Sequence, residues 1–157
     1  VQQAGEGVYS YVRQRFTGEL GAGGAAALLR ALAAAPSKAS QIMLQPGGGV
    51  AASADPSSVA FGCRGWLWSV VILALWTGND PAERERNVEW ADSTFEAVAA
   101  HSLGQYAVDV DHVSRPETAA AEARACFGGN LQRLREVKRR MDPGNLFRAS
   151  LQLLEGA

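Results

Sequence analysis

The feature that most constrains the fold is a long apolar run in the middle of the chain. The run extends from Trp66 to Trp76 (WLWSVVILALW), and Ser69 is its only polar residue. Side chains alternate between the two faces of a strand, and here both alternating sets are apolar. We therefore predict a strand at the centre of a sheet, with both of its faces covered. The run is too short for a membrane-spanning helix, which needs about 20 apolar residues.

Shorter patterns predict the elements around this strand. β-prone residues at 8–12 and 40–45 predict two strands, and the alanine-rich stretch at 25–35 predicts a helix between them. Further patterns predict helices at 81–101, 117–126 and 130–141 and a short strand at 104–108. Together they predict an α+β fold in which a mostly antiparallel sheet is packed by helices.

Composition limits the partners that the chain can have. Its 157 residues include 15 basic and 16 acidic side chains, which gives a formal net charge of −1. Because there is no surplus of positive charge, we expect no binding to nucleic acid and none to a membrane surface. A chain of this length is expected to form one compact unit with a core of its own.

The cysteines indicate the cellular compartment, and the first residues indicate how the polypeptide was processed. Cys63 and Cys126 are far apart in the sequence and form no C-x-x-C pair. We therefore expect two inert thiols, no metal site and a reducing cytoplasm. The chain begins at Val1 without a methionine or an apolar leader, which suggests a trimmed or processed polypeptide.

The C-terminal region carries the most specific motif. Residues 127–148 read FGGNLQRLREVKRRMDPGNLFR, with an aromatic-Gly-x-Asn start and an Asp-Pro-x-Asn-x-Phe turn. Pro143 is expected to end the helix, Asn145 to adopt a left-handed or turn conformation, and Phe147 to pack behind the turn. The whole stretch resembles the closing segment of berberine-bridge-enzyme-like FAD-linked oxidases. Upstream features fall in the order of that family: the glycine turn at 47–49, the FGCR segment at 61–64, and Trp90.

The resemblance implies a division of the chain and a source for the cofactor. Residues 1–125 are expected to be part of the family's substrate-binding α+β domain, and residues 126–157 its C-terminal segment, in one compact unit. Members of the family bind FAD mainly through an N-terminal domain, and no G-x-G-x-x-G opening after a strand is present here. FAD is therefore expected only from a partner chain or from a missing N-terminal part, and otherwise not at all.

The chain departs from the family at a second place. Where the family usually has Tyr-x-Asn-Tyr, with the Asn facing the flavin, this chain has Tyr106-Ala107-Val108-Asp109. Val108 replaces the Asn and cannot hydrogen-bond the flavin, so the cofactor-binding residues are unknown. The candidate catalytic residues are Asp109 and Tyr106. Asp109 can act as a base if burial raises its pKa from about 4, and the alternative is a solvated Asp at a strand end.

Aromatic residues near this motif suggest the class of substrate. We predict that Trp66, Trp68 and Trp76, together with Tyr106, line a pocket for a hydrophobic aromatic or polyketide-like molecule. Arg64 is predicted to position an anionic or carbonyl oxygen of that substrate. The alternatives are that the aromatic residues belong to the core and that Arg64 forms a surface salt bridge.

Three interpretations of the function remain open. The first is the substrate-binding part of a FAD-dependent oxidoreductase, with the flavin supplied by a separate or removed N-terminal part. The second is a cofactor-free cyclase, isomerase or dehydratase of natural-product biosynthesis, which the changes at Val108 and Asp109 favour. The third is a non-catalytic binding remnant. The first two predict association with a flavin-binding chain or with a second copy in a homodimer, because half a sheet leaves an unpaired edge.

Overall fold

A computed structural model describes the backbone of residues 2–5, 7–109, 118–147, 151 and 153. The strands are β1 (Gln2–Gly5), β2 (Val8–Thr17), β3 (Gln41–Pro46), β4 (Trp68–Thr77) and β5 (Ser102–Gly104). The helices are α1 (Gly21–Ala33), α2 (Gly49–Ser53), α3 (Pro81–Ala97), α4 (Ala119–Phe127) and α5 (Leu131–Met141). Short 3-10 turns follow at Ala99–His101, Ala107–Asp109 and Gly128–Asn130.

The five strands form one sheet in which each described pairing is antiparallel. Their order is β1-β2-β4-β3, and β5 pairs with the end of β2. β2 and β4 pair along their full length, from Val8 opposite Thr77 to Thr17 opposite Trp68. The predicted α+β class is therefore confirmed, and the apolar run forms a strand with neighbours on both edges.

One face of the sheet carries the core. Val70, Ile72, Ala74 and Trp76 are all at most 2% exposed, and they pack against α1 and α3. Burial of a large aliphatic side chain such as Ile72 contributes about 1.5–3 kcal/mol. We call this side the helix-packed face. The remaining core members are Tyr11, Leu20, Leu28, Trp90, Ala91, Phe95 and Val98.

The opposite face is less covered than predicted. Val71, Leu73 and Leu75 alternate with the core residues of β4, and the structure leaves them half-buried. The expectation of two covered faces therefore holds for one face only. Antiparallel sheets commonly bury one face and leave the other accessible, unlike the parallel sheets in which continuous apolar runs are typical. We call this second side the open face.

Local signals explain how the helices are placed. The Asp80 side chain accepts a hydrogen bond from the Ala82 backbone N–H at 3.0 Å, and Pro81 occupies the first position of α3. A capping aspartate followed by proline is a common helix start. Trp90 of α3 donates its indole N–H to the Ala31 carbonyl at 2.8 Å. This bond ties α3 to the end of α1 above the core.

The predicted strand at 104–108 is wrong in its extent. β5 ends at Gly104, Tyr106 lies in irregular structure, and a 3-10 turn begins at Ala107. A side-chain carbon at position 104 would lie 2.9 Å from the Ala125 carbonyl oxygen and 3.1 Å from Cys63 Sγ. Glycine is therefore required where the chain passes between these two segments. Beyond Gly104, the side chain of Gln14 accepts a hydrogen bond from the Tyr106 N–H.

Candidate functional site

Four aromatic side chains meet at one end of the open face. Phe16 lies near the end of β2, and its ring centre is 4.7 Å from that of Trp66 and 5.3 Å from that of Phe61. Tyr106 lies edge-on to both phenylalanines, at 6.4 Å from Phe16 and 6.3 Å from Phe61. These spacings are typical of attractive aromatic pairs. We call Phe16, Phe61, Trp66 and Tyr106 the aromatic cluster.

Strand register places this cluster on the open face. Phe16 pairs with Ser69 across β2 and β4, and paired residues in an antiparallel sheet share a face. Ser69 alternates with the core residues Val70 and Ile72, so it lies on the side away from the helices. Phe16 is buried, whereas Tyr106 is 45% exposed. The cluster thus has a buried base and an accessible rim.

A glycine makes room for the tryptophan of the cluster. A side-chain carbon at Gly47 would lie 2.4 Å from both the ring and the carbonyl oxygen of Trp66. The Gly47 N–H also donates to the Leu67 carbonyl at 2.8 Å, which holds the two segments together. The glycine turn singled out in the sequence therefore has a packing role at the cluster.

Two of the predicted substrate-binding tryptophans lie elsewhere. Trp76 is 2% exposed in the core, and its ring is stacked on that of Tyr9 at 6.0 Å. Trp68 is half-buried and packs against the same core. The structure brings Trp66 and Tyr106 together and places Trp68 and Trp76 on the helix-packed face. A direct role of these two in substrate binding stays a prediction.

Arg64 lies beside the cluster and is engaged by the backbone. Its Nε donates to the Ala54 carbonyl at 3.3 Å and its Nη1 to the Cys63 carbonyl at 2.9 Å. The guanidinium centre is 5.3 Å from the centre of the Phe61 ring, within the range of a cation–π contact. Arg64 therefore stabilises the segment that carries Phe61. Its predicted contact with a substrate oxygen stays a prediction.

Two predicted site residues, Val108 and Asp109, lie in the 3-10 turn after Tyr106. Val108 is largely exposed in the 3-10 turn that follows Tyr106. Asp109 ends the same turn, and its side chain lies outside the described residues. Its role as a base therefore stays a prediction, as does that of Tyr106.

The two thiols are held in their protonated form. Burial, with smaller contributions from the nearby Glu122 and Cys63, raises the pKa of Cys126 to about 12. Burial also raises the pKa of Cys63, against the opposing effect of Arg64. Since the thiolate is the reactive species, neither cysteine is poised as a nucleophile. Within the described part of the chain, no three His, Cys, Asp or Glu side chains are grouped to hold a metal ion.

Sequence patterns missed three residues of this site. Phe16 and Gln14 lie in the β2 strand, and Phe61 belongs to a motif that was noted only for its order. Gln14 is 3% exposed on the open face, where its Oε1 accepts from the Tyr106 N–H at 2.7 Å. The alternation of Gln14 and Phe16 in a β-prone stretch was the one available signal. This alternation shows that Gln14 and Phe16 lie on the same face of the strand, but it does not show which face of the sheet that is.

The asparagine of the C-terminal motif joins two distant segments. Asn130 Nδ2 lies within hydrogen-bond distance of three carbonyl oxygens, those of Pro56 at 2.7 Å, Val59 at 3.0 Å and Ala60 at 3.4 Å. A side-chain carbon at Gly62 would lie 2.8 Å from the same Nδ2 atom. The motif therefore anchors the loop that leads into Phe61.

Replacing Asn130 with alanine is expected to lower the free energy of unfolding by about 0.5–1.5 kcal/mol, the net contribution of a hydrogen bond at a solvent-exposed site. Asn130→Asp is expected to cost more, since it sets a carboxylate against the same oxygens. Urea denaturation measures both changes. Gln132→Ala, at an exposed position of α5, is the control and is expected to change stability by less than about 0.5 kcal/mol. Equal stability of the aspartate variant and the parent would contradict this account.

The Asp-Pro turn closes on itself through a lysine. Lys138 contacts the Asp142 carboxylate and also donates to the Phe147 carbonyl. Asp142 accepts from the backbone N–H groups of Leu146 at 2.8 Å and Phe147 at 3.0 Å. Asn145 has a positive φ of 47°, which confirms the predicted left-handed conformation. The prediction that Phe147 packs behind the turn is wrong, because the ring is 75% exposed and the turn is held by Asp142 instead.

The hydrogen bond from Lys138, together with the backbone N–H groups of Leu146 and Phe147, lowers the pKa of Asp142. A lowered pKa in the folded state means that the carboxylate stabilises the fold above its unfolded pKa of about 4. This stabilisation is lost as the pH falls through the lower, folded value. Asp142→Asn is therefore expected to destabilise the chain at pH 7, with a gap to the parent that narrows at pH 3. Urea unfolding at both pH values tests this, and an unchanged gap would refute it.

Known proteins resemble this chain in sequence and in fold. Residues 119–152 match the family model described as berberine and berberine like. An uncharacterized FAD-linked oxidoreductase of Bacillus subtilis (strain 168), YgaK, is 30% identical over 116 residues, which cover 73% of this chain and 24% of YgaK. The chain thus spans about a quarter of the length of this relative.

Solved structures share the fold. BBE-like 28 from Arabidopsis thaliana superposes with a TM-score of 0.80 at 22% identity, over 94% of this chain and 34% of that protein. CrmK, a flavoenzyme involved in shunt product recycling in caerulomycin biosynthesis, superposes with a TM-score of 0.72 at 24% identity, over 98% of this chain and 34% of CrmK. The predicted resemblance is confirmed by these matches. None of the helices in the described ranges combines the length and apolar character needed to cross a membrane.

Proposed function

We propose that this chain, which belongs to the berberine-bridge-enzyme-like family of FAD-linked oxidoreductases, is the part of such an enzyme that binds the substrate. The observation that carries the proposal is the aromatic cluster at the end of the open face. Its rim is accessible at Tyr106, and its base is held by Gly47 and by Gln14. Flat apolar side chains around an accessible rim suit an aromatic or polyketide-like molecule.

Natural-product biosynthesis is the proposed setting. CrmK, which has the same fold, is described as a flavoenzyme of caerulomycin biosynthesis. The aromatic cluster supports a hydrophobic substrate independently of this likeness. At the rim of the cluster we propose that the Tyr106 hydroxyl, together with Asp109 at the end of the following 3-10 turn, exchanges protons with the substrate. Arg64, beside Phe61, is proposed to orient a substrate oxygen.

Two features of the described residues argue against a flavin site formed by this part of the chain alone. Val108, at the position where the family has its flavin-facing Asn, is exposed and apolar. The amide of Gln14 is occupied at both ends, by Tyr106 and by Ser69. We therefore propose that FAD is bound elsewhere, by a flavin-binding chain or by another part of the polypeptide.

Absorption spectroscopy combined with size-exclusion chromatography and mass measurement tests the source of the flavin. Co-purification from the native host is expected to give a yellow complex with a flavin-binding polypeptide, absorbing near the wavelengths of oxidised flavin. The chain purified alone is expected to be colourless and to regain the flavin spectrum only when that polypeptide is added. The proposal would be overturned by a colourless homodimer from the native host that binds no flavoprotein and carries no flavin on any other part of its polypeptide.

The second candidate is a cofactor-free cyclase, isomerase or dehydratase of the same chemical setting. One observation favours it, namely the loss of the flavin-facing Asn at Val108 next to a carboxylic acid at Asp109. Such an enzyme would use Tyr106 or Asp109 as acid and base and would associate with a second copy of itself. Turnover of a substrate by the colourless chain, abolished by Asp109→Asn, would establish this candidate over the first.

A further inference from the structure

The side chain of Gln14 is buried directly beneath the aromatic cluster. It is 3% exposed, although it lies on the accessible side of the sheet. Its Oε1 accepts from the Tyr106 N–H at 2.7 Å, and its Nε2 donates to Ser69 Oγ at 3.0 Å. A buried amide is stable only when its polar atoms are bonded, and here both ends have partners.

The hydrogen bond between Gln14 and the Tyr106 N–H takes the place of a further backbone bond between β2 and the segment after β5. β5 pairs with Phe16 at Gly104, and regular pairing ends there. Gln105 is held by the Ala125 carbonyl on the other side, at 3.2 Å. Tyr106 is the next residue, and its backbone N–H points to Gln14 across the open face. The glutamine thus fixes the distance between β2 and the segment that carries the tyrosine ring.

The bond to Ser69 fixes which way the amide points. Ser69 is a buried residue of β4 and lies opposite Phe16 in the register. Because Nε2 donates to Ser69, the carbonyl end of the amide is turned toward the Tyr106 N–H. Both central strands therefore contribute to one contact outside the sheet. This arrangement supports the backbone that carries the Tyr106 side chain.

We infer that Gln14 is a positioning residue that sets the place of the Tyr106 ring in the aromatic cluster. The inference rests on the proposed function, and it deepens that function by naming the residue that shapes the substrate surface. Gln14 acts through Tyr106 and does not itself contact the substrate. Its loss is expected to move the tyrosine and to weaken binding only where the tyrosine ring is present.

Fluorine NMR of chain labelled with 3-fluorotyrosine reports the ring position without any ligand. The chain has three tyrosines, so three signals are expected. Gln14→Leu is expected to shift the Tyr106 signal, and Gln14→Glu, which keeps an acceptor for the N–H, is expected to shift it less. The matched control is Gln41→Leu. Gln41 is an exposed glutamine of β3 that lies on the same face of the sheet as Gln14, and its replacement is expected to shift none of the three signals.

Should Gln14→Leu fail to fold, Ser69→Ala frees the other end of the Gln14 amide and is expected to shift the Tyr106 signal as well. An unmoved Tyr106 signal overturns the inference.

A double-mutant cycle separates positioning from a general effect on stability. Calorimetric titration with anthraquinone-2-sulfonate, a soluble planar aromatic, measures affinity. Gln14→Leu is expected to weaken binding about fivefold, the effect of one hydrogen bond, and to have almost no effect in a Tyr106→Ala background. Equal weakening in both backgrounds would overturn the inference. Failure of the unsubstituted chain to bind the probe would count against the proposed function, and the fluorine signal would still decide the role of Gln14.

Discussion

Replacing Arg13 with methionine is expected to lower the free energy of unfolding by about 3–5 kcal/mol, the usual cost of leaving a buried charge without its partner. Arg13 is buried on the helix-packed face, where Nη1 lies 3.4 Å from Glu122 of α4 and Nε lies 3.5 Å from Asp92 of α3. Glu122 is equally buried, and its Oε2 has no hydrogen-bond partner among the residues that the structure describes. At roughly 2–4 °C per kcal/mol, the melting temperature is expected to fall by about 6–20 °C.

Arg15 provides the matched control for this prediction. It lies on the same strand face and its guanidinium is 3.7 Å from the centre of the Phe95 ring, compared with 4.1 Å for Arg13. Its acidic partner Glu96 is mostly exposed, however, so the ion pair contributes about 1 kcal/mol or less. Arg15→Met is therefore expected to cost much less than Arg13→Met. Removing the second charge as well, in Arg13→Met/Glu122→Leu, is expected to recover a large part of the loss. If the two single variants melted at the same temperature, the buried pair would not stabilise the fold as described.

Replacing Trp66 with alanine is expected to weaken the binding of anthraquinone-2-sulfonate about 30-fold. Truncation of a tryptophan at the centre of a binding surface costs about 2 kcal/mol, and each 1.4 kcal/mol corresponds to a tenfold change in affinity. Trp66 contacts Phe16 and fills the space left by Gly47, so its loss opens the base of the aromatic cluster. Trp66→Phe is expected to retain most of the affinity.

Leu67 is the control for the tryptophan variant. It is the next residue in the chain, and about half of it is exposed. Leu67→Ala is expected to leave the affinity within about twofold, because an exposed apolar residue outside the contact surface contributes little. Calorimetric titration of all three variants, after circular dichroism has shown that each is folded, gives the comparison. Equal affinities for Trp66→Ala and the parent would rule out the cluster as the binding surface.

The strongest sequence patterns were sufficient to predict the fold class. The run from Trp66 to Trp76 predicted β4, and the helix predicted at 81–101 begins at the same residue as α3, after a capping Asp80. Both signals are local, since apolar runs and helix caps act over a few neighbouring residues. The left-handed conformation of Asn145 was predictable for the same reason.

The composition of the site was less accessible from sequence, because it depends on register and on distant contacts. Trp66 and Trp68 would share a face if the strand ran through both, but β4 begins at Trp68 and the turn at Gly65 has a positive φ of 69°. Trp66 therefore joins Phe16 on the open face, and Trp68 joins the core. A period of two identifies residues that share a face but cannot say which face is buried.

The tyrosine of the site shows a second limit. Tyr106 was expected in a strand, and the structure holds it instead by the hydrogen bond that its backbone N–H donates to Gln14, a residue 92 positions away. A bond between residues so far apart leaves no periodic trace in the sequence. The tight passage of Gly104 between Cys63 and Ala125, which ends β5, is likewise set by tertiary packing.

The most direct test of the proposed substrate surface is NMR titration of the tryptophan indole N–H signals with anthraquinone-2-sulfonate. The chain has four tryptophans, at 66, 68, 76 and 90, and each gives one such signal. We expect a saturable shift of the Trp66 signal, while the signals of the buried Trp76 and Trp90 stay in place. A shift centred on Trp76 or Trp90, or no shift of Trp66 at saturation, would contradict the assignment of the aromatic cluster as the substrate-binding surface.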